Sequence, residues 1–225
     1  MADPDSRKGR AYHSPEILRW VEALHAPHDR FREAAFGAPE REGIPAIQVA
    51  PLEGRLLELL LRLAGARRVV EIGTLAGYSA LWLARALPPD GHLWTLEKSA
   101  KHAALAKETF QEAGLSRRVT LLTGEALALL PRLSREGPFD AVFLDADKEN
   151  YDAYGRWAAE NLRPGGLLLA DNAFFFGRLL EEDRGAQAVR RLHEESVRFF
   201  ETVCVPTADG LLVGIRRDEE EAHVG

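Results

Sequence analysis

The stretch Arg68-Val69-Val70-Glu71-Ile72-Gly73-Thr74-Leu75-Ala76-Gly77-Tyr78-Ser79 decides the fold of this chain. It begins with a β-branched apolar run, typical of a parallel strand that is covered on both faces. Gly73 and Gly77 then allow a tight turn, and Leu83 and Leu87 follow at helical spacing. Because the free N–H groups of a helix N-terminus point outward, the pattern predicts a small-ligand site at this turn. It lacks the third glycine of the dinucleotide fingerprint, so the rest of the chain must identify the ligand.

The composition indicates one domain that acts on a small molecule. The chain has 225 residues, 46% of them hydrophobic, which is enough for a sizeable core. The net charge is -6, and no long basic run lies outside Arg7–Arg10. The charge therefore gives no support to general nucleic-acid binding. The single cysteine fits a reducing compartment, so we expect a cytoplasmic protein. No apolar run is long enough to cross a bilayer, and we expect no membrane role.

The remainder of the chain alternates between predicted strands and helices. Ser14 and Pro15 open an amphipathic first helix, and residues 26–51 are interpreted as an irregular approach segment. Helices are predicted over residues 52–63, 79–87, 99–113, 126–130, 151–162 and 186–200, and strands over 68–72, 92–96, 119–122, 139–144 and 167–170. Residues 202–205 and 211–215 predict a closing antiparallel hairpin.

This order predicts an α/β fold with a mostly parallel, open sheet and helices on both faces. We expect a single domain, with residues 44–217 as its core and residues 1–43 as a helical and irregular N-terminal extension. In such sheets ligands bind beyond the carboxyl ends of the strands. Glu97 ends the second strand, where an acid can accept both hydroxyls of a ribose, although it could also be an exposed acid before a helix. Glu71 lies within a buried strand and needs hydrogen-bond partners, which we expect to be backbone groups near the ligand or solvent at the cleft edge.

Oxygen-bearing side chains also follow two later strands. Asp145 ends the fourth strand, and Asp171 and Asn172 end the fifth. If these strands are neighbours, the oxygens can meet around a hard divalent cation, for which Mg²⁺, Mn²⁺ or Ca²⁺ would be suitable. Each aspartate alone could instead cap the next element. Lys148 can project into the same crevice as a base or a guide for a substrate hydroxyl, or it can be a solvated lysine at a helix start.

These residues resemble the class I S-adenosylmethionine-dependent, cation-dependent O-methyltransferases, the group that includes the caffeoyl-CoA and catechol O-methyltransferases. The resemblance runs from about Ile47 to Arg216 and implies a Rossmann-like methyltransferase fold with a seven-stranded sheet. It rests on residues 70–79 as the first cofactor motif, Leu144-Asp145-Ala146-Asp147-Lys148-Glu149-Asn150-Tyr151 as the metal and catalytic motif, residues 163–172 as the second metal motif, and Asp209-Gly210-Leu211 in the closing hairpin.

The resemblance implies an S-adenosylmethionine site, a divalent cation and a catechol-type aromatic acceptor. The cofactor contacts that it implies are Val49, Glu71, Gly73, Gly77, Ser79, Glu97, Ala126 and Asp145; the cation ligands are Asp145, Asp171 and Asn172; the catalytic residues are Lys148 and Asp145. It further implies a homodimer. The chain departs from the family at residues 173–177, where a tryptophan-containing loop is common, and at Arg191-Leu192-His193, where an asparagine after phenylalanine is usual.

Three alternatives stay open at the level of the sequence. A hydroxylated tRNA base could be the methyl acceptor, although the acidic balance argues against it. The chain could bind the cofactor without catalysis, which the Asp145, Lys148, Asp171 and Asn172 set argues against. A nicotinamide dehydrogenase would suit the same sheet, but the third fingerprint glycine is missing.

Overall fold

The computed structural model of the protein describes residues 13–218. Its strands are β1 Arg68–Ile72, β2 His92–Glu97, β3 Val119–Thr123, β4 Phe139–Leu144, β5 Leu162–Ala170, β6 Phe200–Val205 and β7 Leu211–Arg216. They form one seven-stranded sheet in the order β3-β2-β1-β4-β5-β7-β6. The first five strands are parallel, and β7 runs antiparallel to both β5 and β6. The predicted mostly parallel sheet with a C-terminal hairpin is confirmed.

Helices cover both faces of the sheet. Their bounds are α1 Pro15–His25, α2 Arg30–Glu42, α3 Pro51–Leu63, α4 Tyr78–Ala86, α5 Ala100–Glu112, α6 Ala126–Leu133, α7 Tyr151–Asn161 and α8 Arg184–Phe199. Alternate residues of β1 point to opposite layers, so Val69 packs with α3, α4 and α5, whereas Val70 packs with α6, α7 and α8. None of the helices between residues 13 and 218 is long and apolar enough to span a bilayer.

The interpretation of residues 26–51 as irregular is wrong for α2. Asp29 caps this helix, because its Oδ1 accepts the N–H groups of Phe31 at 3.0 Å and Arg32 at 2.9 Å. Pro39 is tolerated near the C-terminal end, and Gly43 ends the helix in the left-handed conformation with φ 61°. The apolar positions are few and separated by charges, so their helical period was masked in the sequence.

The fifth strand begins earlier than predicted. The sequence predicts a strand only from residue 167 onward, but β5 already pairs Leu162 with Phe139 and then shifts register before Leu167 pairs with Ala141. Arg163 Nε donates to Asp140 Oδ1 at 2.6 Å and fixes the irregular first half of the strand. The later half, which carries the predicted ligand residues at its end, is in the expected place.

Candidate active site

A cavity of about 560 Å³ lies beyond the carboxyl ends of the parallel strands. This is the edge of the sheet at which ligands bind in open α/β folds. The predicted site residues that line the cavity are Gly73, Ser79, Glu97, Ala126, Asp145, Lys148 and Asn172. Residues from the ends of β1, β2, β4 and β5 therefore meet in one space.

The turn after β1 passes very close to the turn after β4. Gly73 has φ 101°, and a Cβ atom built on it would lie 1.9 Å from the carbonyl oxygen of Asp145. Gly77 has φ 86° and forms the N-cap of α4, against the ring of Phe110. Gly77 does not line the cavity, so its place is to turn the chain into the helix. Both glycines are required by backbone geometry.

Glu97 connects the turn between β1 and α4 (residues 73–77, here called the cofactor turn because of the motif it contains) to the start of α5. Its Oε2 accepts the N–H of Leu75 at 2.9 Å and that of Thr74 at 3.3 Å. Its Oε1 accepts the N–H of Ser99 at 2.8 Å. The side chain is buried but reaches the cavity wall, so the carboxylate is held in a fixed orientation there.

Glu71 is fully buried and bonds hydroxyl groups, not the backbone groups that were expected. Oε1 accepts from Ser79 Oγ at 2.6 Å, and Oε2 accepts from Thr95 Oγ1 at 2.5 Å. Burial raises the pKa of Glu71 from 4.5 to about 8, against the opposite effect of the two hydroxyl hydrogen bonds. Glu71 does not line the cavity, but its partner Ser79 does.

The segment before α3 reaches the cavity through the neighbours of Val49 and not through Val49 itself. Val49 is buried in the core, whereas Ile47 and Gln48 line the cavity. Gln48 Nε2 donates to the carbonyl of Phe36 at 2.8 Å, which anchors this segment to α2. His102 also lines the cavity, and sequence reasoning missed it because a lone histidine in the first turn of α5 carries no motif.

The predicted cation ligands lie at the ends of two adjacent strands. Leu144 of β4 pairs with Ala170 of β5, so Asp145 and Asp171 leave the sheet side by side. The N–H of Asp171 donates to the carbonyl of Leu144 at 3.0 Å, and the N–H of Asn172 donates to Asp171 Oδ1 at 2.6 Å. Within residues 13–218 no three His, Cys, Asp or Glu side chains are grouped as metal ligands, and here the third oxygen donor is an amide.

Carboxyl groups at these strand ends outnumber the cationic side chains beside them. Burial, then Asp145 and Glu53, raise the pKa of Asp171 to about 8. Burial also raises the pKa of Asp145, although Lys148 opposes this with its Nζ 3.1 Å from Asp145 Oδ1. Lys148 Nζ also donates to the hydroxyl of the fully buried Tyr151. One lysine thus faces several carboxyl groups, an imbalance that a bound cation would relieve.

The loop after β5 is strained and reaches the mouth of the cavity. Asn172, Phe175 and Phe176 have φ of 55°, 50° and 55°; asparagine adopts this left-handed conformation readily, but it is unfavourable for the two phenylalanines. Such conformations cost roughly 1–3 kcal/mol each and persist only where the surroundings impose them. Phe176 lines the cavity while 61% exposed, so an apolar ring stands at its entrance.

Comparisons with known proteins identify the family of the chain. Residues 29–217 match the O-methyltransferase family. The chain is 42% identical to a catechol O-methyltransferase of Niastella koreensis over 81% of this chain and 84% of the relative. It is also 42% identical to a catechol O-methyltransferase of Mycobacterium tuberculosis over 78% and 79%.

A solved structure agrees with the fold and with the cofactor. The O-methyltransferase from Streptomyces achromogenes that is involved in tomaymycin synthesis was solved in complex with S-adenosylmethionine. It superposes with a TM-score of 0.85 at 35% identity, over 90% of this chain and 96% of that one. The chain therefore belongs to the O-methyltransferase family and is a class I S-adenosylmethionine-dependent methyltransferase.

Proposed function

We propose that this enzyme methylates a hydroxyl of a small aromatic vicinal diol and that a divalent cation assists it. One observation carries the proposal: Asp145, Asp171 and Asn172 stand at the ends of two adjacent strands, where Asp145 and Asn172 line the cavity and the buried Asp171 lies directly behind its wall. Relatives named catechol O-methyltransferase support the acceptor class.

The donor set suits a hard cation. Carboxylate and amide oxygens are the ligands that Mg²⁺ and Ca²⁺ take, and Mn²⁺ accepts them as well. Asp145, Asp171 and Asn172 would hold the ion, whose charge would offset the surplus of buried carboxyl groups around Asp171. When bound, the cation would lower the pKa of the acceptor hydroxyl, and S-adenosylmethionine would supply the methyl group.

The residues of the chain then have separate roles in this proposal. Lys148, held beside Asp145 at 3.1 Å, takes or guides the proton of the acceptor hydroxyl. Glu97 would bind the ribose of the methyl donor, Ala126 would lie against its adenine, and Ser79 would contact the donor from the first turn of α4. The fixed turn at Gly73 orients the donor so that the acceptor oxygen and the methyl group can align.

A metal-dependence assay with a catechol acceptor tests the proposal. Methyl transfer from labelled S-adenosylmethionine should require added Mg²⁺ and stop in excess chelator. Asp171→Ala should lower kcat/KM by at least about 100-fold, because it removes one ligand from a small set. Glu149→Gln, an exposed change in the same motif as Lys148, should stay within about twofold of wild type.

Full activity in excess chelator, or in Asp171→Ala, would overturn the role of the cation. No transfer to any catechol, together with methylation of tRNA, would replace the acceptor by a hydroxylated tRNA base. Membership in the O-methyltransferase family already excludes the nicotinamide dehydrogenase. Transfer to any acceptor excludes binding without catalysis.

We further propose that the chain is a homodimer. Helix α1 is amphipathic, yet none of its residues is buried. Ile17, Trp20 and Leu24 are 49%, 66% and 57% exposed on it. An uncovered apolar face of this kind is typical of a protein contact, and a second copy would cover it.

A further inference from the structure

The strained loop after β5 is held by the turn that joins β6 to β7. The N–H groups of Ala173 and Phe174 donate to the carbonyls of Gly210 and Asp209 at 2.9 and 2.8 Å. Both residues lie near the end of the hairpin turn, far along the chain from the loop. The backbone of the loop is thus paired to the turn before the strained residues begin.

The side chain of Asp209 then binds the most exposed strained residue. The N–H of Phe176 donates to both carboxylate oxygens, at 2.8 Å to Oδ1 and 3.0 Å to Oδ2. Hydrogen bonds to an ionised acceptor are stronger than those between neutral groups. Phe176 has a left-handed φ of 55° although it is not a glycine. The hydrogen bonds from its N–H to the Asp209 carboxylate help to hold this conformation.

The close contact of Phe174 with the turn reinforces this arrangement. Gly210 has φ 77°, and a Cβ on it would lie 2.9 Å from the ring of Phe174. The ring of Phe174 therefore lies against the turn at Gly210, while Phe176 reaches the cavity mouth. The turn and the loop behave as one unit, with Asp209 as the contact at its outer end.

We propose that Asp209 is a positioning residue that sets the affinity for the methyl acceptor by fixing Phe176 at the cavity entrance. The inference rests on the proposed aromatic acceptor, because a flat apolar ring at the entrance favours a flat apolar substrate. Without the carboxylate, the backbone of Phe176 relaxes toward an ordinary φ value and its ring leaves its place, while Asn172 stays fixed by its hydrogen bond to Asp171. The cofactor turn shares no hydrogen bond with Asp209. Loss of the Asp209 carboxylate should therefore leave the affinity for the methyl donor unchanged.

Steady-state kinetics with a catechol acceptor test this role. Asp209→Ala should raise the KM of the acceptor about 5- to 20-fold and leave the KM of S-adenosylmethionine and kcat within about twofold. Asp209→Asn keeps one oxygen acceptor and should recover most of the loss. Glu201→Ala, an exposed change on β6 of the same hairpin, should match wild type.

A double-mutant cycle separates positioning from a general loss of structure. Phe176→Ala should raise the acceptor KM to a similar degree, and the double variant Asp209→Ala, Phe176→Ala should be no worse than Phe176→Ala alone. Additive effects, or an equal rise of the KM for S-adenosylmethionine, would overturn the proposal.

Limited proteolysis with chymotrypsin gives a reading that does not need the acceptor. Asp209→Ala should be cleaved faster than wild type and Glu201→Ala within residues 173–183, with the fragments assigned by mass. If wild type methylates no catechol, the aromatic acceptor fails while this arm still tests the hold on the loop. Equal cleavage rates in all three proteins would refute the role of Asp209.

Discussion

Glu71 shows how one buried acid joins the sheet to the cofactor turn. It bonds Ser79 from the first turn of α4 and Thr95 from the neighbouring strand, and Thr95 Oγ1 lies 2.5 Å from Thr74 Oγ1 in the turn itself. The carboxyl group is excluded from water, so its ionisation costs free energy that two hydroxyl donors only partly offset. Its protonation state is therefore linked to the stability of the fold.

Replacing Glu71 by glutamine should flatten the pH dependence of stability. The pKa of Glu71 is about 8 in the folded chain against 4.5 when exposed, so the folded state holds the proton more tightly. Its contribution is fully present below pH 4.5 and is lost as the pH rises through 8, by up to about 1.4 kcal/mol per pH unit. Urea unfolding at pH 5, 7 and 8.5 should show this decline in wild type and a smaller one in Glu71→Gln.

Glu201→Gln serves as the control for this comparison because Glu201 is exposed on β6. It should keep the wild-type slope at every pH. Other buried acids, such as Asp171, contribute equally to all three proteins and cancel. Parallel curves for wild type and Glu71→Gln would contradict the linkage.

At the scale of elements, the strands and their mostly parallel arrangement were predictable, whereas the order of the strands across the sheet and the sparse helices were not. Apolar runs ended by Gly73, Glu97 and Asp145 mark buried parallel strands from local sequence alone, and the sheet follows from their alternation with helices. Helix α2 escaped because its stability comes from tertiary contacts. Arg32 stacks 3.4 Å from the ring centroid of Trp82 and pairs with Glu58 at 3.2 Å, and no local pattern reveals such partners.

The candidate site was predictable where it follows from the positions of the strand ends, but not where it depends on contacts between segments distant in sequence. Residues at strand ends, such as Glu97, Asp145 and Asn172, reach the cavity because the topology brings all those ends to one edge. The partners of Glu71 and the contact of Asp209 with Phe176 were not predictable. They join segments distant in sequence, and only packing decides which groups meet.

Gly73→Ala should disrupt the turn between β1 and α4. The new Cβ would clash with the carbonyl oxygen of Asp145 at 1.9 Å and would disfavour φ 101°. We expect a loss of at least about 2 kcal/mol in the free energy of unfolding and a large loss of S-adenosylmethionine affinity. Chemical denaturation and titration calorimetry measure the two quantities.

Gly65→Ala is the matched control for that clash. Gly65 also has a positive φ, 61°, but nothing lies within 4 Å of a Cβ built there. It should lose only the backbone term of about 1 kcal/mol and keep cofactor affinity. If both variants lose the same stability and both bind the cofactor, the close approach at Gly73 does not matter.

At the scale of the whole molecule, the uncovered face of α1 predicts the assembly. Light scattering after size exclusion should give twice the 25.0 kDa mass of one chain for wild type. Trp20→Glu should shift the mass toward one chain, because it places a charge in the apolar contact. Arg19→Glu, with a charge on the opposite side of α1, should remain dimeric. A wild-type mass of one chain would refute the homodimer.

The cavity also has a consequence for how this enzyme can be diversified. The wall predicted to hold the cofactor comes from residues 72–126, whereas the loop at the cavity mouth and the turn that holds it come from residues 173–177 and 207–210, which leaves out the predicted cation ligand Asn172. A gene library confined to those two short stretches would vary the choice of acceptor as a cassette. Because the carboxylate of Asp209 binds the N–H of Phe176, both stretches should be exchanged together when sequences from relatives are recombined.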